Sequence, residues 1–373
     1  MDKPIRILHV IGRMDRGGAE TMIMNLYRHI DRTQIQFDFV ENTPNHMSFD
    51  DEILSLGGRI YRCPHYSAVN HFSYCLWWKR FFDEHGSEYS IVHGHLGSTA
   101  AIYLSYAKRH GIYTIAHSHN TNGTGLRDRI YQVYAYPTRM IADFFFACSV
   151  DAGIDRFGKK TVNRPGAFHV LNNAIDTSRF QYDEQAREKI RARFGLDDSV
   201  VFGHVGRFFA QKNHEFLIDI FASIAKQCGN AKLLLIGGGE LEEQIVRKVE
   251  KLGLRDQVVF AGTQEDTAPF YQAMDVFLFP SLYEGFGMVA VEAQASGLPC
   301  IISDKVSREC ILTDDLVYVC SLEDSAENWA SCALEHSSYS RSDHSLQIRD
   351  RGYGAEETSK WLEQFYLERS TKR

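Results

Sequence analysis

The chain has 373 residues, too many for one ordinary domain and enough for two of roughly 185 each. Apolar residues make up 44% and charged residues 24%, which excludes a disordered, collagen-like or low-complexity chain. The net charge of −7 is unevenly spread: residues 1–172 carry 19 Lys and Arg against 16 Asp and Glu, and residues 173–373 carry 22 against 32. An acidic second half does not suit a general nucleic-acid binder, and a mildly basic first half suits an anionic partner such as a lipid surface.

In chain order, Ile5–Ile11 reads as a buried strand. Its apolar part, Ile7–Ile11, is too short for a secretory signal, and no stretch approaches the roughly 18 apolar residues that span a bilayer. A helix over Glu20–His29 and a strand over Gln36–Val40 follow. Later strands are expected at Ile91–His93, Tyr113–His117 and Phe144–Ser149, with a helix over Ser98–Gly111 that stops on its glycine. The pattern then restarts. Strands are expected at Val200–Val205, Ala231–Ile236, Gln257–Phe260, Val276–Phe279 and Cys300–Ser303, and helices over Asn213–Gln227, Leu241–Leu252 and Met288–Ser296. Strands alternating with helices imply parallel sheets covered by helices, and two such series imply two doubly wound domains. The seam is expected within Leu171–Phe180, where Asn172, Asn173 and Asp176 supply turn chemistry. A last amphipathic helix, Glu356–Leu367, carries Trp361, Leu362, Phe365 and Tyr366 on one side and must dock somewhere. Eight scattered cysteines form no CxxC, so reduced, mostly buried thiols in a cytoplasmic protein are expected.

Three loops could carry chemistry. Gly12-Arg13-Met14-Asp15-Arg16-Gly17-Gly18-Ala19-Glu20 joins the first strand to the first helix. Its glycines permit close backbone approach and the helix start favours an anion, but the spacing is not GxGxxG. Gly206-Arg207-Phe208-Phe209-Ala210-Gln211-Lys212-Asn213 places two cations beyond a strand end, where a guanidinium and an ammonium together suit a diphosphate. The run from Pro280 to Glu292 holds two glutamates, Glu284 in a glycine-rich loop and Glu292 inside an apolar helix. A carboxylate buried there needs hydrogen-bond donors, which ribose hydroxyls would supply.

With RGGAE, NAIDTSRF, GRFFAQKN, LLLIGGGE and FPSLYEGFGMVAVEAQASGLPCI in this order, nearly the whole chain resembles the GT-B-fold retaining glycosyltransferases of family 4, the glycosyltransferase group 1 type. The resemblance implies two Rossmann-like domains facing a cleft. Residues 1–172 would bind the acceptor, residues 173–354 the nucleotide sugar, and the helix at about 355–373 would cross back to the first domain. Arg207 and Lys212 would neutralise the donor diphosphate, and Glu292 would bind the ribose. Glu284 would orient the donor sugar near its 3-hydroxyl. Amides of Phe286, Gly287, Met288 and Val289 would line the sugar and phosphate site. The base would rest near Gly262, Thr263 and Gln264, and Gly17 and Gly18 would approach the diphosphate from the first domain. The family histidine that reaches the donor sugar or reacting centre falls on His117 or His119. Ala174 stands where the family commonly has glycine.

The resemblance further implies no cofactor and no metal. The donor would be a nucleoside diphosphate sugar, a UDP-sugar above others, and the acceptor a glycan hydroxyl carried on undecaprenyl diphosphate at the inner membrane face. His93 and His95 are spaced as neighbours on one strand face, but a metal site needs a third ligand that the sequence does not locate. The aromatic run Tyr74–Phe82, with Trp77 and Trp78, reads as helix core before it reads as a lipid contact. Arg127, Arg129, Lys159 and Lys160 add basicity without forming a motif. Competing readings are a GT-B epimerase or hydrolase, a non-catalytic sugar-nucleotide-binding partner, and a nicotinamide-dependent oxidoreductase with Glu41 as its ribose acid.

Overall fold

The computed structural model describes residues 3–119 and 133–370; Arg127, Arg129 and the last three residues of the chain lie outside them. The chain divides into two compact units, residues 1–174 with 355–373, and residues 175–354. Each is a parallel sheet with helices on its faces.

The first unit holds β1 (Ile5–Ile11), β2 (Ile35–Glu41), β3 (Ile60–Arg62), β4 (Tyr89–Gly94), β5 (Tyr113–Ser118), β6 (Phe144–Ala147) and β7 (Phe168–Val170) in the order β3-β2-β1-β4-β5-β6-β7. Every pairing is parallel. All of β2 and most of β1 are buried, as strands covered on both faces must be. The second unit holds β8 (Val200–Val205), β9 (Ala231–Ile236), β10 (Val258–Gly262), β11 (Val276–Phe279), β12 (Cys300–Ser303) and β13 (Val317–Cys320) in the order β10-β9-β8-β11-β12-β13, again all parallel. The strand order reverses between β1 and β4 in one unit and between β8 and β11 in the other. Loops leaving the strands part at such a point, which leaves room for a ligand at the strands' C-terminal ends.

Element ends shift where capping chemistry decides them. The strand expected to reach Ser149 stops at Ala147, because the Ser149 hydroxyl caps helix Val150–Phe157 by accepting from the Ala152 amide. The terminal helix is Ala355–Ser370 and packs on helix Gly18–His29, where the Ser359 hydroxyl donates to the Leu26 carbonyl at 3.2 Å. Its Leu362, Phe365 and Tyr366 are buried, but Trp361 is 39% exposed and stacks on His169. The aromatic helix His71–His85 buries Tyr74, Trp78, Phe81 and Phe82, so that run is core. The eight cysteines are free thiols, four of them buried and four half-buried. Among the described residues no helix is long and apolar enough to cross a membrane.

The second unit's core centres on Trp329 of helix Ala326–Glu335. It is fully buried against helix His214–Gln227, and its indole N–H donates to the Ser321 carbonyl at 2.8 Å. Trp329→Ala should therefore cost about 3–5 kcal/mol, cavity and lost hydrogen bond together. Urea unfolding checks this; a loss below about 1 kcal/mol would contradict it.

Candidate functional site

In the second unit the loops after β8, β9, β10 and β11 are knitted together at the strand ends. The Phe208 amide donates to Gly238 O (3.0 Å) and the Leu241 amide to Phe208 O (3.0 Å), while the Gly237 amide donates to Gly262 O (3.0 Å). Gly237 has φ +137°, and a Cβ there would lie 2.1 Å from Gly206 O, so the close approach of these two loops requires glycine. Across the strand reversal, the Leu282 amide donates to Gln211 O (2.8 Å) and the Asn213 amide side chain to Pro280 O (3.1 Å).

That stitching brings two expected residues, 72 apart in sequence, into direct contact. Lys212 Nζ donates to Glu284 Oε1 at 2.7 Å, with the two side chains only 16% and 9% exposed. The ammonium also sits over the Phe279 ring, 4.9 Å from its centroid. A largely desolvated ion pair of this kind is held by geometry, since each charge would be costly alone. Arg207 lies apart from the pair, exposed, with its guanidinium over the Phe209 ring.

Glu292 sits in helix Met288–Ala295, whose start follows Gly287 at φ +87°. The phenol of Tyr271 donates to Glu292 Oε2 at 2.8 Å. Burial pushes the carboxyl up to about 7, although Tyr271, Arg179 and Lys212 each pull it back. Tyr271 is a partner the sequence did not reveal. Phe286 is buried and stacks on Tyr353, so its backbone rather than its ring is available to a ligand. Met288 is buried and Val289 half-buried. Gly262 ends β10 in the left-handed region at φ +68°, and Thr263 borders Gly238.

In the first unit, Gly17 precedes and Gly18 begins helix Gly18–His29, at the C-terminal end of β1. The loop is tied down: the Met14 amide donates to Glu41 Oε2 (2.8 Å), the Asn42 amide to Gly12 O (2.9 Å) and the Ser48 hydroxyl to Asp15 (2.6 Å). Glu41 also pairs with Arg62 at 2.9 Å. Both contacts fall on Oε2, so Glu41 helps to shape this loop.

His117 is buried in β5, with Nδ1 3.2 Å from Nε2 of His93; its own Nε2 is buried and has no hydrogen-bond partner among the described residues. His119, just past β5, lies 2.8 Å from His95. The third imidazole that the His93 and His95 pair lacks in sequence is supplied by neighbouring strand ends. His9, His93 and His95 form one group, and His95, His117 and His119 another, each with three ring nitrogens within 4.8 Å of one another. The signal for it was visible in part, as a histidine inside each of three apolar strands.

Comparison with known proteins shows the family to which the chain is similar. Residues 186–330 match the family described as Glycosyl transferases group 1, and residues 16–179 the one described as Glycosyltransferase Family 4. EpsF of Bacillus subtilis (strain 168), which carries a glycosyltransferase name, is 37% identical over 332 residues, 87% of this chain and 86% of its own. The UDP-Gal:alpha-D-GlcNAc-diphosphoundecaprenol alpha-1,3-galactosyltransferase of Escherichia coli is 27% identical over 247 residues, 61% of each chain. The crystal structure of Anabaena HepE with UDP-glucose superposes with a TM-score of 0.73 at 16% identity, covering 98% of both chains.

The state of Glu292 is open to a direct test. Its folded value stands above the ordinary 4.5, so its contribution to stability is fully present below about pH 4.5 and is lost as pH rises through about 7. Glu292→Gln keeps an acceptor for Tyr271 and cannot ionise. The melting temperature of the variant relative to the native protein should rise between pH 5 and pH 8; a constant difference would contradict a raised carboxyl.

Proposed function

This chain belongs to the glycosyl transferases group 1 family, a family of glycosyltransferases, and on that premise we propose that it is a retaining, metal-independent enzyme that moves a sugar from a UDP-sugar to a glycan hydroxyl in surface polysaccharide assembly. The observation that carries the reading is the Lys212–Glu284 pair at the reversal of strand order, with Glu292 in the helix that follows. The roles follow from the chemistry of each group. Lys212 is positioned to share its charge between Glu284 and the donor's diphosphate, and Arg207 to close on the same anion from its exposed loop. Glu284 accepts hydrogen bonds from the donor sugar near its 3-hydroxyl. Glu292 accepts from the ribose hydroxyls, and these donors offset the burial of its carboxylate. Backbone amides from Phe286 to Val289, at the start of helix Met288–Ala295, face the sugar and phosphate.

In the same-face mechanism the bond from C1 of the donor sugar to the diphosphate oxygen breaks. A bond from C1 to the acceptor oxygen forms on that face, and the acceptor's proton passes to the departing phosphate. No separate protein base is then needed, and the work of the protein is to hold the diphosphate's growing negative charge. The resemblance gives His117, or His119 in its place, to the donor sugar or reacting centre. HepE, crystallised with UDP-glucose, supports a uridine nucleotide. The E. coli relative, named for a diphosphoundecaprenol acceptor, supports a lipid-linked one; in this reading the first unit holds it at the membrane face.

Two measurements test the reading. Lys212→Ala and Glu284→Gln should each lower kcat by about 10²-fold or more, the usual effect of removing one preorganised charge or hydrogen bond from a transition state, measured at a temperature where each variant is folded, since loss of either partner of the pair also lowers the melting temperature. Near-normal turnover in both would remove the site assignment. UDP, and not NAD, should raise the melting temperature. NMR of the product should show the donor's anomeric configuration kept; an inverted centre would overturn the mechanism.

A further inference from the structure

A cavity of about 130 Å³ in the first unit lies at the C-terminal ends of β4 and β5, where Gly94 and Ser118 line it. Thr138 also lines it and is only 3% exposed. The Thr138 Oγ1 is buried without a hydrogen-bond partner among the described residues. His117 borders the same cavity, and its Nε2 is buried in the same condition. Two buried polar atoms left unsatisfied at one cavity carry a cost that a bound ligand removes.

The groups around the cavity favour negative charge. Arg156 lines it from the last turn of helix Val150–Phe157. Arg139 donates to the Arg156 carbonyl at 2.9 and 3.2 Å, which fixes the backbone that carries this guanidinium. A Cβ on Gly97 would lie 3.3 Å from Arg156 Cζ, so the glycine lets the guanidinium lie against the loop after β4. Ala100, the first residue of helix Ala100–Arg109, also lines the cavity, and a helix start adds its positive end. Among the described residues no Asp or Glu lines it. His117 contributes a donor as well. The Tyr366 hydroxyl donates to His93 Nδ1 at 2.6 Å, so the His93 proton stands on Nε2 and is donated to His117 Nδ1 at 3.2 Å. Burial holds both rings neutral, and His117 therefore presents an Nε2–H, which suits an oxygen.

We infer that this cavity takes a phosphate-class oxyanion of the acceptor, with the Arg156 guanidinium and the Thr138 hydroxyl donating to its oxygens. A guanidinium presents two parallel N–H groups to such an anion, and a hydroxyl turns to donate wherever an acceptor arrives. The volume exceeds the roughly 30 Å³ share of one water several times over, which leaves room for a group of several heavy atoms. The inference deepens the proposed function and rests on it for what carries the anion. His117 and His119, one of which the resemblance gives to the donor sugar or reacting centre, both line the cavity. That role is left to them: Arg156 and Thr138 hold the anion on the acceptor's side of that centre.

The full-length protein is saturated with UDP, to fill the donor's diphosphate site, and titrated with inorganic phosphate by calorimetry. Phosphate should bind. Arg156→Gln and Thr138→Val should each weaken it about tenfold or more, the usual cost of losing a hydrogen bond to a charged group. Thr138→Val removes a buried hydroxyl that has no partner, so its melting temperature should equal or exceed that of the native protein, and its weaker binding then reports the site and not the fold. UDP affinity should be the same in both variants as in the native protein. Failure of UDP to bind at all would count against the donor reading and leave the comparison of native with Arg156→Gln intact. Farnesyl diphosphate and glucose 1-phosphate, titrated in the same way, separate the two carriers: tighter binding of the first supports a lipid-linked acceptor phosphate, tighter binding of the second a soluble one, and both support the oxyanion site. Absence of phosphate binding by the native protein, or equal binding in native and Arg156→Gln, would overturn the inference.

Discussion

A parallel strand covered by helices on both faces has nowhere to place a polar side chain except near its ends. That constraint organises the molecule. Strands β11 and β12 are nearly continuous apolar runs, so groups able to meet a ligand gather in the loops that leave their C-terminal ends. Where the strand order reverses, adjacent loops run to opposite faces and a gap opens between them. The second unit fills the rim of that gap with Lys212 from one loop and Glu284 from the other, and backbone hydrogen bonds between the loops set their spacing.

Charge in this gap is local. The second half of the chain carries 22 basic against 32 acidic residues, so its overall field does not attract a diphosphate. In the proposed reading one is held by an ammonium kept in place by a single carboxylate, an exposed guanidinium over the Phe209 ring, and the amides at a helix start. The same desolvation that strengthens these contacts raises Glu292 to about 7. A carboxyl so placed is poor as a structural element and well suited to a ligand that brings hydroxyl donors with it.

The first unit departs from the rule that strand interiors are apolar. His9, His93 and His117 lie within β1, β4 and β5 and are buried. Burial cannot be relieved by protonation, since it lowers all three, so they pair with one another, with His95 and His119, and with Tyr366. The last of these comes from the terminal helix, which gives its docking on this unit a chemical as well as an apolar component.

Much of this was legible in the order of residues. Apolar runs alternating with helical periods specify parallel sheets, because period and strand burial are local properties. The spacing of Glu284 and Glu292 is likewise local, since a loop and the helix that follows it keep their separation whatever surrounds them. Capping was less legible: Ser149 reads as strand until its hydroxyl is seen to close a helix start. What tertiary structure alone decided are the contacts between segments far apart in sequence. Lys212 meets Glu284 across the strand reversal, and Tyr271 meets Glu292 from a separate helix. Glu41 is claimed by the Met14 amide and Arg62. The histidine pair of one strand gains further imidazoles because parallel register sets the ends of β1, β4 and β5 side by side. Strand pairing is a long-range choice, and no single segment carries the information that its partner will bring a matching side chain.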